Sequence, residues 1–485
     1  MTLPHASSLQ TLLGASLCIP LPALATAPAL PSAPKAHPPR VSWISSADGR
    51  PWQTMPASDL AQADGAAAQL RVWPDRIFQA VEGFGGCLNE LGWRALARAT
   101  ESDRQSVLEA LFGDDGCAFA LARLPIGAND FALDGYSLAE EPEDYALESF
   151  SIERDRSHLL PFVKAAMVVR PDLRCWGSPW SPPAWMKEND NYSGGSLRWE
   201  TSVLEAYARY FVKWIEAYRA EGVDVYAVAP QNEPNILNVY PTCAWTGEQL
   251  RTFIADHLGP ALERADARVE LWLGTINGDP PSGGNNINDR VATVLDDPAA
   301  ADRIAGLAFQ YDSANLIGDA ARLYPEKKLM QSETDCHGGR NSWEDALFLY
   351  RRILHYVGQG ASSYFLWNLV LDETGLSTWG WRQNAPITVD SRTGAVAYNG
   401  EYHVMRHFSQ FVKPGAHRVL ATGPWGDKIA FANPDGSVVV VAANSSERDC
   451  VVVVAPGGDP AGTVRVTLPA KSVNTLVFDA HAREP

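Results

Sequence analysis

This chain of 485 residues has no excess of positive charge, no long apolar run and no closely paired cysteines. Its net charge is −17 and its isoelectric point is near 5.0. No basic patch interrupts that acidity, so nucleic acid and anionic membranes are excluded as main partners. Seven cysteines occur, none in a C-x-x-C pair, and their spacing suits no zinc site. Asp335, Cys336 and His337 are adjacent in sequence, and adjacent residues ligate one ion poorly. Neither metal nor cofactor is therefore expected. Most of the thiols are expected to be buried, with one or two disulfides open if the protein is exported. Internal repeats are absent.

The one apolar run, residues 12–24, is too short for a membrane-spanning helix and carries prolines at 20 and 22. Two A-x-A options follow it, Ala23-Leu24-Ala25 and Ala25-Thr26-Ala27. Residues 1–27 thus resemble a secretory signal peptide, although no Lys or Arg precedes Lys35. Leu17 before Cys18 argues against lipoprotein attachment. The Pro-rich stretch 28–40 reads as a leader. A secreted or periplasmic protein is expected. Asn191-Tyr192-Ser193 and Asn444-Ser445-Ser446 match glycosylation sequons.

A hydrophobic content of 46% and a charged content of 20% describe a globular chain, long enough for a barrel and an accessory domain. Sixteen tryptophans are many. Gathered at strand ends, their flat rings would stack on the apolar faces of sugars. Apolar strand patterns fall at 81–86, 119–126, 173–180, 225–229, 269–274, 304–309, 328–332 and 363–370. Between them lie helical patterns such as 202–221, 247–265 and 342–357. Eight strands alternating with helices predict an α/β fold, a (β/α)8 TIM barrel over 79–412. After a last helix at 402–411, short β-branched strands separated by Pro-Asp-Gly, Asn-Ser-Ser and Pro-Gly-Gly turns predict an antiparallel β-sandwich over 413–485. The alternating segment 41–78 has too few partners to stand alone and is expected to join that sandwich.

Two strand ends carry the chemistry. VYAVAPQNEP (225–234) runs from the fourth apolar strand into Gln231, Asn232 and Glu233. KLMQSETD (328–335) ends the seventh in Glu333. Residues at the carboxyl ends of barrel strands line the active site, and strands four and seven face each other across the mouth. Two glutamates there are what glycoside hydrolysis needs: a proton donor for the leaving oxygen and a carboxylate facing the anomeric carbon. A separation of ~5–5.5 Å would give retention of configuration.

The chain resembles glycoside hydrolase family 30, the glucosylceramidase-like enzymes. The likeness rests on VEGFGG at 81, LARLPIGANDFA at 121, GSPWSPPAWMK at 177 and APQNEP at 229. QSETDC at 331, LWNLVLDE at 366 and GEYHVMRHFSQFVKPGAHRV at 400 extend it. The resemblance implies a retaining β-glycosidase with Glu233 as acid/base and Glu333 as nucleophile. It implies that Asn232 binds the sugar 2-hydroxyl, that Asp130, Trp180 and Trp367 hold the sugar, and that Tyr311 touches the nucleophile. Trp379 and Trp381, in STWGWRQN, are candidate aglycone contacts. The implied substrate is a carbohydrate or glycoconjugate with a β-glucosyl bond, and a monomer is favoured. An endo-acting β-1,6-glucanase or xylanase is the alternative within the family. A non-catalytic carbohydrate-binding protein is the alternative outside enzymes.

Overall fold

The computed structural model describes residues 41–56, 61–62, 67–278, 289–457 and 463–479. The expected signal peptide and leader lie outside the described residues. Eight strands form a closed barrel: β1 (Gly83–Cys87), β2 (Leu121–Pro125), β3 (Arg174–Ser178), β4 (Asp224–Val228), β5 (Glu270–Asn277), β6 (Ile304–Gln310), β7 (Lys328–Glu333) and β8 (Ser363–Asn368). Each pairs in parallel with its chain neighbours, and β8 pairs with β1. Leu121, Trp176, Tyr226, Trp272, Met330 and Phe365 pack inside, which makes the barrel a filled core, not a pore. At Gly85, a Cβ would lie 1.9 Å from the Leu121 backbone oxygen, so only glycine lets β1 approach β2.

The helices form where the 3.6-residue apolar period runs. On the Thr201–Ala220 helix the expected face of Leu204, Tyr207, Ala208, Phe211, Ile215 and Tyr218 is buried. The Trp343–Gly358 helix starts at a capping box in which Ser342 and Asp345 satisfy each other's backbone N–H groups. The single helix expected over 247–265 is instead interrupted: Gly247–Thr252 passes through a π-helical turn, Phe253–Leu258, into Gly259–Arg264. Pro260 has no N–H to donate, and the wider turn accommodates the missing bond. The eighth strand ends at Asn368 rather than Val370. Val370–Asp372 belongs to a separate small sheet with Ile387–Val389 and Val396–Tyr398, which the sequence reading missed.

The second sheet has ten strands. Its order is Arg50–Thr54, Val41–Ala47, Ser472–Phe478, Val438–Asn444, Lys428–Ala432, His417–Thr422, Leu70–Ala80, Cys450–Ala455, Val464–Leu468, Ala61–Gln62. N-terminal strands therefore pair with C-terminal ones, Val41–Ala47 running the whole length of Ser472–Phe478. The strand His417–Thr422 was not foreseen. One pairing is parallel, Leu70–Ala80 with Cys450–Ala455, so the sandwich is not purely antiparallel. Trp43, Leu70, Val72, Val440, Val452, Val466 and Leu476 fill it.

Sandwich and barrel helices share polar contacts. Trp343 Nε1 donates to Lys471 O at 2.7 Å, and Tyr350 Oη donates to Asp427 O at 3.0 Å. His407, on the Gly400–Ser409 helix, lies between Thr475 Oγ1 (2.8 Å) and Ser46 Oγ (2.9 Å). Because Thr475 Oγ1 already donates to His407 O, the ring must donate from Nδ1 and accept at Nε2.

The six described cysteines are free, five of them buried. Asn444 is buried, and its Nδ2 donates to the carbonyls of Arg448, Leu468 and Pro469, so that sequon is closed in the fold; Asn191 is exposed. Among the described residues, no helix is long and apolar enough to cross a membrane.

Candidate active site

β7 delivers Glu333 at its last position, whereas Glu233 stands five residues beyond the end of β4. Both are nearly buried, and both line one cleft of about 370 Å³ with Asp130, Trp180, Asn277, Tyr240, Tyr311, Trp381 and Gln383. Glu233 and Tyr311 hold left-handed backbone (φ 46° and 45°). Such conformations cost about 1–3 kcal/mol each in a non-glycine residue and cluster at functional sites. The Glu233 N–H donates to Thr275 O at 3.0 Å, which pins the strained turn.

The surroundings of the two carboxylates differ. Glu333 Oε2 accepts from Arg123 at 2.6 Å, and Oε1 accepts from Tyr311 Oη at 2.8 Å. Gln310 Nε2 lies 3.4 Å from Oε2. Arg123, fully buried, also donates to Asn232 Oδ1 at 2.7 Å and Ser178 Oγ at 3.0 Å. Its guanidinium sits over the rings of Trp180, Trp176 and Trp367, at 4.5, 4.9 and 5.6 Å from their centroids. Aromatic faces offset part of the cost of burying that cation. Among the described residues, the hydrogen-bond partners of Glu233 are neutral: Tyr240 Oη donates to Oε2 at 3.0 Å and Asn277 Nδ2 to Oε1 at 2.7 Å.

Burial raises the Glu333 carboxyl to about 7; Arg123 pulls it down, the Glu233 charge pushes it up, and the Tyr311 hydroxyl pulls it down. Asp130 is pushed well above the usual carboxylate range, first by burial and then by the charges of Glu333 and Glu233. Burial thus holds both Glu333 and Asp130 above the usual carboxylate range, and the buried Arg123 guanidinium pairs with Glu333.

Asn232 is positioned from below. Its Oδ1 accepts from Arg123, from Thr275 Oγ1 at 2.8 Å and from Gln310 Nε2 at 3.4 Å. That leaves Nδ2 as the group it presents. Trp180 and Trp367 lie 4.9 Å apart between ring centroids, and Trp367 meets Phe131 edge-on. Trp367 itself is fully buried behind the cleft wall. Of the loop tryptophans, Trp381 lines the cleft and packs on Tyr240 at 5.1 Å. Trp379 packs into the apolar cluster behind it. Trp176 is barrel core, and Trp185 donates its indole N–H to Ala139 O.

Asp335, Cys336 and His337 do not converge. Asp335 pairs with Arg352, the Cys336 thiol lies 3.0 Å from Thr334 O, and His337 meets Phe348 edge-on. Among the described residues, no three His, Cys, Asp or Glu side chains are grouped as metal ligands.

Arg123, Gln310, Tyr240 and Asn277 were missed from sequence. Arg123 had left a signal, a charge in the middle of the apolar strand LARLPI. Tyr240, in an irregular loop, had left none.

Residues 81–412 match the glycosyl hydrolase family 30 TIM-barrel domain and residues 415–476 the family's β-sandwich domain. The chain belongs to glycosyl hydrolase family 30 and is an O-glycosyl hydrolase. It is 27% identical over 470 residues to the lysosomal acid glucosylceramidase of Mus musculus, covering 90% of this chain and 88% of that one. Identity to the endo-1,6-β-D-glucanase of Neurospora crassa is 26% over 431 residues, covering 85% and 87%. A solved endo-β1,6-glucanase aligns with a TM-score of 0.81 and 26% identity, covering 90% of this chain and 99% of that chain.

Proposed function

We propose that the protein is a retaining β-glucosidase that works by double displacement, with Glu333 as nucleophile and Glu233 as acid/base. The observation that carries this is the unequal setting of two carboxylates in one cleft. Arg123 and Tyr311 favour a charged Glu333, which is what attack on an anomeric carbon requires. Glu233 is held by neutral groups and carries the proton to the leaving oxygen. Asn232 Nδ2 donates to the sugar 2-hydroxyl, Asp130 accepts sugar hydroxyls, and Trp180 stacks on the ring. Trp381 contacts the aglycone.

A terminal β-glucoside of a glycoconjugate, as the name of the mouse relative suggests, is the substrate we favour; β-1,6-glucan is the second reading, supported by the glucanase relatives. Product analysis separates them: single glucose units from a chain end support the first, internal cleavage the second. The A-x-A sites support export, and an intact Met1 or Thr2 on protein from its native host would overturn that part.

The roles are tested with azide. Glu333→Ala is expected to lose several orders of magnitude on every substrate. Glu233→Ala should still be glycosylated by a dinitrophenyl β-glucoside and then stall. Azide needs no general base, so it should restart turnover and give the β-glycosyl azide. An α-azide from the Glu233 variant, or rescue of neither variant, would reject the assignment.

A further inference from the structure

Glu233 is held by two partners that differ in what they can do. Asn277 Nδ2 donates to Oε1, and its amide is fixed in that sense because Asn277 Oδ1 accepts the Gly278 backbone N–H at 2.8 Å. An amide nitrogen donates only, so a proton on Oε1 would point at another hydrogen. Oε2 faces the Tyr240 hydroxyl at 3.0 Å, and a phenol can either donate or accept. We infer that Tyr240 is a positioning residue which, together with Asn277, confines the acid/base proton to Oε2 of Glu233. The inference rests on the proposed role of Glu233.

In the first step the Oε2 proton leaves its bond to the Tyr240 oxygen and passes to the glycosidic oxygen, while that oxygen's bond to the anomeric carbon breaks, a Glu333 oxygen bonds to that carbon and the Tyr240 hydroxyl turns to donate to Oε2. Glu233 is then a carboxylate with a donor on each oxygen, Asn277 on Oε1 and Tyr240 on Oε2. In the second step a water gives a proton back to Oε2, and its oxygen displaces Glu333. The Tyr240 hydroxyl then turns to accept. One water is consumed and both carboxyl groups return to their starting states. The device is held in place by the ring of Tyr240, which is buried and packed on Trp381. Burial and the Glu233 charge raise the phenol far above its ordinary range, so it stays neutral.

Tyr240→Phe keeps the ring and removes the hydroxyl, and its thermal midpoint is expected to match the parent. Alkyl β-glucosides, whose leaving groups need a proton, should lose roughly 10–100-fold in kcat/KM, as expected for a lost bond to a charged group. A dinitrophenyl glucoside should change little in its glycosylation step. The alkaline limb of kcat/KM should move to higher pH, by roughly half a unit or more, because the carboxylate has lost a stabilising donor. An equal loss for all leaving groups, or an unmoved limb, would mark a purely structural role and overturn the inference. Failure of Glu233→Ala to show azide rescue would instead remove the reading beneath it.

Discussion

Arg123 sets the electrostatics of the cleft at the residue scale. It is fully buried, it pairs with Glu333, and its fork joins Glu333 to Asn232. Lysine would keep the charge but not the planar fork or the stacking. Arg123→Lys is therefore expected to lower kcat/KM at pH 6 by about 10–100-fold, the worth of a charge-assisted bond. The sign of the pH effect follows from the required state of Glu333. With its carboxyl raised to about 7, the proposed nucleophile is protonated below that pH, so the acid limb of kcat/KM falls as pH drops through it. Weakening the guanidinium contact raises it further, and the limb should move up by about one unit. A pH–rate profile identical to the parent's would refute this.

The fit of helix to strand at the element scale depends on small residues at fixed places. β3 passes the Thr201–Ala220 helix so closely that a Cβ on Gly177 would lie 2.4 Å from the Trp214 ring. Trp214 is fully buried and cannot swing away. Overpacking of this kind costs about 1–3 kcal/mol. Gly177→Ala should lower the denaturant midpoint accordingly. It should also reduce kcat, because Ser178, the next residue, takes a hydrogen bond from Arg123. A Gly177→Ala enzyme with unchanged midpoint would show that the strand can shift at no cost.

Chain ends and middle are interlocked in the whole molecule. The ten-stranded sheet takes Val41–Ala47, Arg50–Thr54 and Leu70–Ala80 from before the barrel and its remaining long strands from after it. The Trp343–Gly358 helix and the Gly400–Ser409 helix are bonded to that sheet through Trp343, Tyr350 and His407. Deleting everything after Gly415 would uncover an apolar flank of the barrel and leave the N-terminal strands unpaired. Insoluble protein is expected; a soluble, active truncation would show the sandwich to be dispensable.

Periodicity and composition determined most of the architecture. The barrel strands are dominated by apolar residues because both their faces are covered, and the long helices over 201–220 and 343–358 repeat at 3.6 residues because one face is. Two glutamates at the ends of such runs were legible for the same reason. The arrangement of the cleft was not. Arg123 reads as an anomaly within β2 until β3, β4 and β7 close around it and supply Ser178, Asn232 and Glu333 as partners. Tyr240 and Asn277 lie 37 residues apart in sequence and have no periodic pattern; they meet only because loop and barrel bring both to Glu233. Local sequence decides which segments are strands and helices, since those preferences act within a few residues. Contacts between loops far apart in the chain exist only once the barrel has closed, and the partners that set the chemistry of each carboxylate are contacts of that kind.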